Sequence, residues 1–241
     1  NKNTYTKNVF CMKKNMLFAL VVLTTTSAFA QVDPVGNFNK HIVEQWTGDY
    51  IRVGQYKVKG SPYFLGEPFP GTLNYTDGKS AKSQQILYDL HNQKVGFKQG
   101  NDALEALNAV ESFSISLPDK YGNKNLVFKN GVAYGDKSNV YYNVLEDGTK
   151  FAFLKQYKTK LVADSRNTLD KDAKMFEQVY DYFIYNKGTK TLHKIKLREK
   201  DLLKELEAEP AAKDYVAKNV ASLSTEHDFI TVINTVNTQF K

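Results

Sequence analysis

From Gly71 to Leu197 apolar and polar residues alternate in short runs, separated by the dipeptides Asp77-Gly78, Tyr121-Gly122, Asn130-Gly131, Asp147-Gly148 and Lys187-Gly188. A period of two puts one side of an extended segment against a core and the other in water. Glycine in such dipeptides supplies the positive φ of tight hairpin turns. The runs "QQILYDL", "KVGFK", "SFSISL", "NLVFK", "NVYYNVL", "KFAFLKQYKTKLV" and "FEQVYDYFIY" are rich in β-branched and aromatic residues, as strands are. In "SFSISL" the apolar set is Phe113, Ile115 and Leu117, with serine between, the pattern of a half-buried strand. The region therefore predicts an antiparallel β-meander. One piece stays open: Asp102 to Val110 fits a helical turn as well as a strand, because Ala103, Leu104, Leu107 and Val110 recur at near-helical spacing.

The flanks read differently. Phe38, Ile42, Val43 and Trp46 are spaced 4, 1 and 3 apart, which predicts a short N-terminal helix. Pro62, Pro68 and Pro70 crowd the stretch "YIRVGQYKVKGSPYFLGEPFPGTLNY", downstream of Pro34. Proline cannot donate to a ladder, so the middle of this stretch predicts a loop or a sheet edge between two strands. After Arg198 the chain turns charged and helix-favouring. Leu202, Leu203 and Leu206 make a stripe, Pro210 opens a second helix, and Thr225 and Asp228 stand at capping-box spacing before Phe229, Ile230, Ile233 and Val236. No linker divides these parts, so residues 31–241 read as a single α+β domain with two to three C-terminal helices packed on the sheet.

The stretch "CMKKNMLFALVVLTTTSAFAQ" has the parts of an export signal: Lys13 and Lys14, an apolar run from Met16 to Leu23, and Ala28-Phe29-Ala30 as a small-x-small cleavage site. Cleavage is expected after Ala30 and initiation at Met12, with residues 1–30 absent from the mature chain. The apolar run is too short for a spanning helix, which needs about 20 residues. The sole cysteine, Cys11, precedes the lysines, so it is misplaced for lipid attachment. A periplasmic or secreted mature chain without a transmembrane segment follows. Removing residues 1–30 takes away Lys2, Lys7, Lys13 and Lys14 and no acid, leaving 29 basic against 26 acidic residues, so +7 falls to +3. With no basic cluster left, nucleic acid is not an expected partner. A mature chain without cysteine has no disulfides and no thiolate chemistry.

Catalytic and metal motifs give no match. "DGKS" at Asp77 to Ser80 lacks the glycine that a phosphate loop places five residues ahead, where Leu73 stands, so a hairpin turn explains it. His41, His91, His193 and His227 lie far apart, without metal-ligand spacing. No Gly-x-Ser-x-Gly occurs, and carboxylates such as Glu105 with Glu111 or Asp170 with Asp172 do not by themselves define a glycosidase. The expectation is a chain with no catalytic residue, metal or cofactor. Tyrosine and phenylalanine number 15 each, and clusters of them suit grooves for sugars, peptides or lipids as well as cross-strand packing. The candidate ligand-binding residues are Tyr63, Phe64, Tyr141, Tyr142 and Tyr182.

The segments "KGSPYFLGEPFPGTLNYTDG" and "QILYDLHNQKVGFK", with the ending "LHKIKLREKDLLKELEAEP", "YVAKN" and "DFITVINTVN", resemble uncharacterised exported proteins common in Bacteroidota. They cover the N-terminal third and the last fifty residues of the mature chain, and Pro62, Tyr63, Phe69 and Gly71 match the pattern. The resemblance implies an envelope or secreted protein with a curved antiparallel sheet and C-terminal helices, and it carries over no catalytic residue. The functional expectation is a non-enzymatic envelope protein that binds a small molecule, lipid, glycan or protein. Two alternatives stand beside it. One is a periplasmic lipid or lipoprotein carrier similar to the LolA/LolB group, with an apolar cavity lined by sheet and helices; the other is a hydrolase without a readable motif.

Overall fold

A computed structural model describes residues 38–41, 51–53, 56–106, 109–164, 173–220 and 222–240. The expected export signal and its cleavage site lie outside them. Among the described residues thirteen strands form one mixed, mostly antiparallel sheet, which is not closed, followed by three helices. The strands are β1 Phe38–His41, β2 Ile51–Val53, β3 Tyr56–Lys59, β4 Phe69–Tyr75, β5 Ser80–Asp89, β6 Lys94–Gln99, β7 Asp102–Ala106, β8 Val110–Ser116, β9 Asn125–Asn130, β10 Tyr141–Asp147, β11 Phe151–Ala163, β12 Lys174–Asn186 and β13 Thr191–Ile195. The helices are α1 Glu199–Glu205, α2 Pro210–Asn219 and α3 Glu226–Gln239.

All seven alternating runs are strands, and Phe113 and Ile115 of β8 are buried as their spacing demands. The order β1-β7-β6-β5-β4-β8-β9-β10-β11-β12-β3-β2 is not a simple meander. The chain runs outward from β4 to β7, returns to lay β8 on the other side of β4, and then runs outward again. One pairing, β3 with β12, is parallel. The sheet bends enough for the Thr159 amide of β11 to reach the carbonyl of Leu90, just beyond β5, at 3.4 Å.

Several expectations need correction. Phe38–His41 is not helical; it pairs antiparallel with Ala103–Ala106, so the edge offered by β7 overrides local helical spacing. Ile42, Val43 and Trp46 lie outside the described residues. Asp102–Ala106 resolves as strand for the same reason, being bonded on both sides. The middle of the proline-rich stretch, 60–68, is the expected loop between β3 and β4, with one short helical turn in it, whereas Pro70 stands inside a central strand. It occupies the second residue of β4, opposite Gln85, and the ladder to β8 begins only at Gly71, so the missing donor costs no β4–β8 bond. Gly78 and Gly122 do take positive φ, at 82° and 87°, whereas Gly131, Gly148 and Gly188 do not. At Gly148 the requirement is space: a Cβ there would lie 2.1 Å from Asn237 Cγ.

Two main cores cover the sheet. The first lies on the β4–β9 strands, where Phe113 stacks on Phe128 at 4.7 Å and Tyr88 and Tyr141 meet them edge-on. The short helical turn Phe64–Gly66 adds Phe64 to this cluster. The second joins Phe151, Phe153 and Ile184 to the helices through Leu202, Leu206, Val216, Phe229, Ile233 and Val236. In α3 the Asp228 amide donates to Thr225 Oγ1 and the Thr225 amide to Asp228 Oδ2, at 3.2 and 2.9 Å. This is a reciprocal capping box with aspartate in the usual glutamate place. Pro210 opens α2 at a position where no intrahelical donor is needed. Ala152 and Leu154, on the opposite face of β11, are buried with Tyr134 and Tyr142, which explains why "FAFL" is apolar without a break. Among the described residues no helix is long and apolar enough to cross a membrane.

Candidate binding surface

Three of the five candidate aromatics are packing residues. Phe64 is 3% exposed and meets Phe69, Phe128 and Tyr157 edge-on at 6.2, 5.9 and 4.9 Å. Gln178 of β12 holds its turn in place: its Oε1 accepts from the Leu65 amide and its Nε2 donates to the Tyr63 carbonyl, at 3.2 and 2.8 Å. Leu65 takes φ 52° to make this possible. Tyr141 is buried in the first core and donates to the Val110 carbonyl at 3.2 Å. Tyr142 lies in the small opposite-face cluster and donates to Asp136 Oδ2 at 2.6 Å. Burial raises the pKa of both hydroxyls.

Tyr63 and Tyr141 flank two adjoining recesses on β6 and β7. Tyr63 lines one of about 90 Å3 with Asp89, Lys94 and Glu105. Burial, and then the negative charge of Asp89 and Glu105, push its hydroxyl up to about 12. Tyr141 borders the other, of about 400 Å3, with Asn130 and Asn139. The ion pair of Lys94 with Glu105, at 2.7 Å, belongs to the wall of both. These groups already have structural work. Asp89 accepts the amides of His91 and Asn92 at the β5–β6 turn, and Asn130 donates to Asn139.

Tyr182 leads elsewhere. Cross-strand register sets Lys155 opposite Tyr182 and Tyr157 opposite Tyr180, so four side chains form a square on one face of the β11–β12 hairpin. Lys155 Nζ lies 4.1, 5.1 and 5.3 Å from the ring centres of Tyr180, Tyr157 and Tyr182, within cation–π range of each. Glu226, in the first turn of α3, closes the square: its Oε2 accepts from Lys155 Nζ at 2.7 Å and from the Tyr182 hydroxyl at 2.8 Å. A carboxylate at a helix start is favoured by the helix dipole. Tyr182 stacks on Phe153, which meets Phe229, and Tyr157 meets Phe64. The square thus sits at the seam of the two main cores. Its outer corner is Tyr180, 53% exposed, yet held by the edges of Tyr157 and Tyr182 at 6.2 and 5.5 Å.

Burial lowers the pKa of Lys155, but Glu226 and Tyr157 outweigh it and raise it overall, so the amine stays charged at neutral pH and is not a nucleophile. The Tyr182 hydroxyl is pushed up by burial and by Glu226. Burial acts upward on Asp147 and Asp181 too, but Lys129 and Lys187, and Lys158 and Lys194, hold their carboxyls low. Each shift moves its group away from neutrality, where an acid or base must be poised. Among the described residues no three His, Cys, Asp or Glu side chains group to hold a metal ion. Composition could not reveal the members missing from the candidate set, Lys155, Tyr157, Tyr180 and Glu226. The trace of Lys155, Tyr157 and Tyr180 is the alternation in "KFAFLKQYK" and "VYDYFIY", which gives a face once register is known, while Glu226 lies outside both, in the first turn of α3. No family model matches the chain, and no curated protein and no solved structure matches it.

Proposed function

We propose that this chain is an exported envelope protein that acts by binding and not by catalysis, and that the Tyr180 corner of the Lys155 square is the surface that meets its partner. The carrying observation is Tyr180 itself, a half-exposed ring that its neighbours hold in one position. An ordered ring loses little freedom on binding, so burying it contributes nearly its full apolar area. The export reading rests on the signal-like stretch ending at Ala30. Sequencing the amino terminus of the secreted protein is expected to give Gln31 first; an intact leader would remove the envelope from the proposal. The binding surface is tested by placing a photo-reactive phenylalanine analogue at position 180 in cells, with exposed Val132 as the control position. A light-dependent adduct from position 180 and not from 132 is expected. Equal yields from both positions, or none from 180, would sink the assignment.

A lipid carrier needs a cavity lined by sheet and helices together, and here Phe153 meets Phe229 at 5.6 Å across that space, with Ile184 and Val236 buried beside them. The hydrolase reading keeps one observation, the approach of Asp89 and Glu105 to Tyr63 in the smaller recess. Against it, Asp89 caps a turn and Glu105 is paired with Lys94.

A further inference from the structure

The chain holds one Asn-Gly pair, Asn130-Gly131. The pair reads as a hairpin turn, yet Gly131 does not take a positive φ. Gly131 opens a short helical turn, Gly131–Tyr134, and is buried there. A Cβ on it would lie 3.0 Å from Asp136 Cβ, 3.1 Å from Tyr142 Cε2 and 3.2 Å from Val140 Cγ2, so the position needs glycine for its small size. Asn130 is needed for another reason. At the end of β9 its backbone is extended, with ψ 141°, and its Oδ1 accepts from the Val132 amide at 3.0 Å, capping the turn. The fold therefore demands both halves of the pair, in that order.

That pair carries a latent reaction. Glycine has no Cβ to shield its own amide, so the Gly131 nitrogen, once it loses its proton, can attack Asn130 Cγ. The new C–N bond closes a cyclic imide, and Nδ2 leaves as ammonia. Water then breaks one of the two imide C–N bonds, giving aspartate or, with the chain rerouted through the side chain, isoaspartate. No oxidant or reductant is needed. The folded chain opposes the first step at each reacting group. The Gly131 amide donates to the Val140 carbonyl at 2.8 Å, which shields the proton that must be lost. Oδ1 is held by Val132, and Nδ2 donates to Asn139 Oδ1 at 3.0 Å, so the carboxamide is tied at both of its polar atoms. Asn130 itself is only half-buried. The barrier is the bonding and not a lack of water.

What must open is the segment between β9 and β10. Tyr134 pins it by meeting Tyr142 and Tyr185 edge-on at 6.0 and 5.4 Å, the Asp136 amide donates to the Gly131 carbonyl at 3.0 Å, and Asp136 Oδ2 accepts from the Tyr142 hydroxyl. A segment of this size can open locally while the rest of the sheet stays folded. Reclosing after the reaction is another matter. Isoaspartate adds a backbone atom just ahead of Gly131, where not even a Cβ fits, and either product is a carboxylate that cannot donate to Asn139. The modified segment cannot return to its former packing.

We propose that Asn130 is a gated modification site: it stays asparagine while the Gly131–Val140 bond holds, deamidates through the Gly131 nitrogen when the 131–140 segment opens, and then keeps that segment from closing. The rate of marking is the rate of the bare reaction multiplied by the fraction of time the segment is open. This does not depend on any partner at Tyr180.

The test compares the mature chain with a free peptide of residues 127–133 at mildly alkaline pH, following aspartate by peptide mass mapping and isoaspartate by enzymatic methylation. The folded chain is expected to react at least about tenfold more slowly than the peptide. Reaction and hydrogen exchange at the Gly131 amide share one opening, so the slowing of the first should match the protection of the second within about threefold, with and without sub-denaturing urea. Asp136→Ala, which removes the anchor of the Tyr142 hydroxyl, is expected to speed both together; should that variant fail to fold, the urea series on the wild-type chain carries the comparison. Equal rates in chain and peptide would show that no gate exists. Reaction faster than the Gly131 amide opens would assign it to the closed fold and overturn the gate. A Gly131 amide that exchanges while Asn130 stays intact would remove the site. Modified chains that regain full protection at the Gly131 amide would overturn the claim that the product holds the segment open.

Discussion

The β4–β9 core and the helix-backed core solve one problem, covering the face of a sheet, with different materials. In the first the sheet bends and its own rings fill the space, Phe113 on Phe128 with Tyr88 and Tyr141 around them. In the second a separate layer of helices does the covering, with Phe229, Ile233 and Val236 of α3 over Phe151 and Phe153. A side-chain amide at a turn helps to fasten each. Gln93, at the β5–β6 turn, donates to the carbonyls of Leu90 and Tyr157 at 2.9 and 3.0 Å and accepts from the Tyr88 hydroxyl. Asn237 of α3 accepts from the amides of Lys150 and Phe151 and donates to the Phe151 carbonyl, at 3.0, 2.9 and 3.0 Å. The two differ in burial: Asn237 is 3% exposed, while Gln93 is only half-buried. A bent sheet can keep its fastener near water, because its rings carry the cohesion. A docked helix depends on a polar bond made inside.

That contrast can be broken at several points. Phe113→Ala removes the ring on which the first core is stacked and is expected to cost about 3–5 kcal/mol in urea unfolding. Asn237→Ala leaves the amides of Lys150 and Phe151 without their partner, while the Phe151 carbonyl keeps its bond from the Gly148 amide, and is expected to cost about 2–4 kcal/mol. Asn237→Asp should not rescue it, since a carboxylate cannot donate to Phe151. Gln93→Ala should cost less, about 1–2 kcal/mol, because water replaces part of what is lost. If Gln93→Ala proved the costlier of the two, the argument from burial would be wrong. Acid should act mainly on the second region and more weakly still. Asp147 and Asp181 have folded pKa values below their unfolded ones. Their stabilisation is present above the unfolded aspartate range near 4, and it fades as pH falls through the lowered folded values. With pairs this open to solvent each contributes at most about 1 kcal/mol. Hydrogen exchange at pH 3 should accelerate in β10–β12 before β4–β6. Smallest of all, Tyr180→Ala should change stability by no more than about 0.5 kcal/mol; a large loss of stability would make Tyr180 a packing residue.

The strands were legible wherever one face of a run was apolar and the other polar, as in β8 with Phe113 and Ile115. The helices were legible from Pro210 and from the Thr225–Asp228 box. Pairing over distance was not. Nothing near Phe38 announces that Ala103–Ala106 will present an edge to it, and nothing near Val58 announces a parallel partner 116 positions away at Lys174. The aromatics misled for a chemical reason: a tyrosine suits a core with a bonded hydroxyl as well as a surface. Tyr141 and Tyr142 took the first role and Tyr180 the second, and only register separates them. Lys155 escaped notice because a lysine within an alternating strand normally marks the wet side. Here three rings and Glu226 make that side nearly dry.

Asn237 also sets an order of assembly. The turn whose backbone it satisfies, at Lys150 and Phe151, is made 86 or 87 positions earlier in the chain. Until α3 has emerged and docked, the β10–β11 hairpin holds two donors that only water can serve, and Gly148 faces an empty site. A contact spanning that much chain is slow to close. The hairpin can therefore form early but cannot be sealed early. In a chain threaded through a membrane from its amino end, that delay would keep the sheet loose and threadable until the helices arrive to lock it.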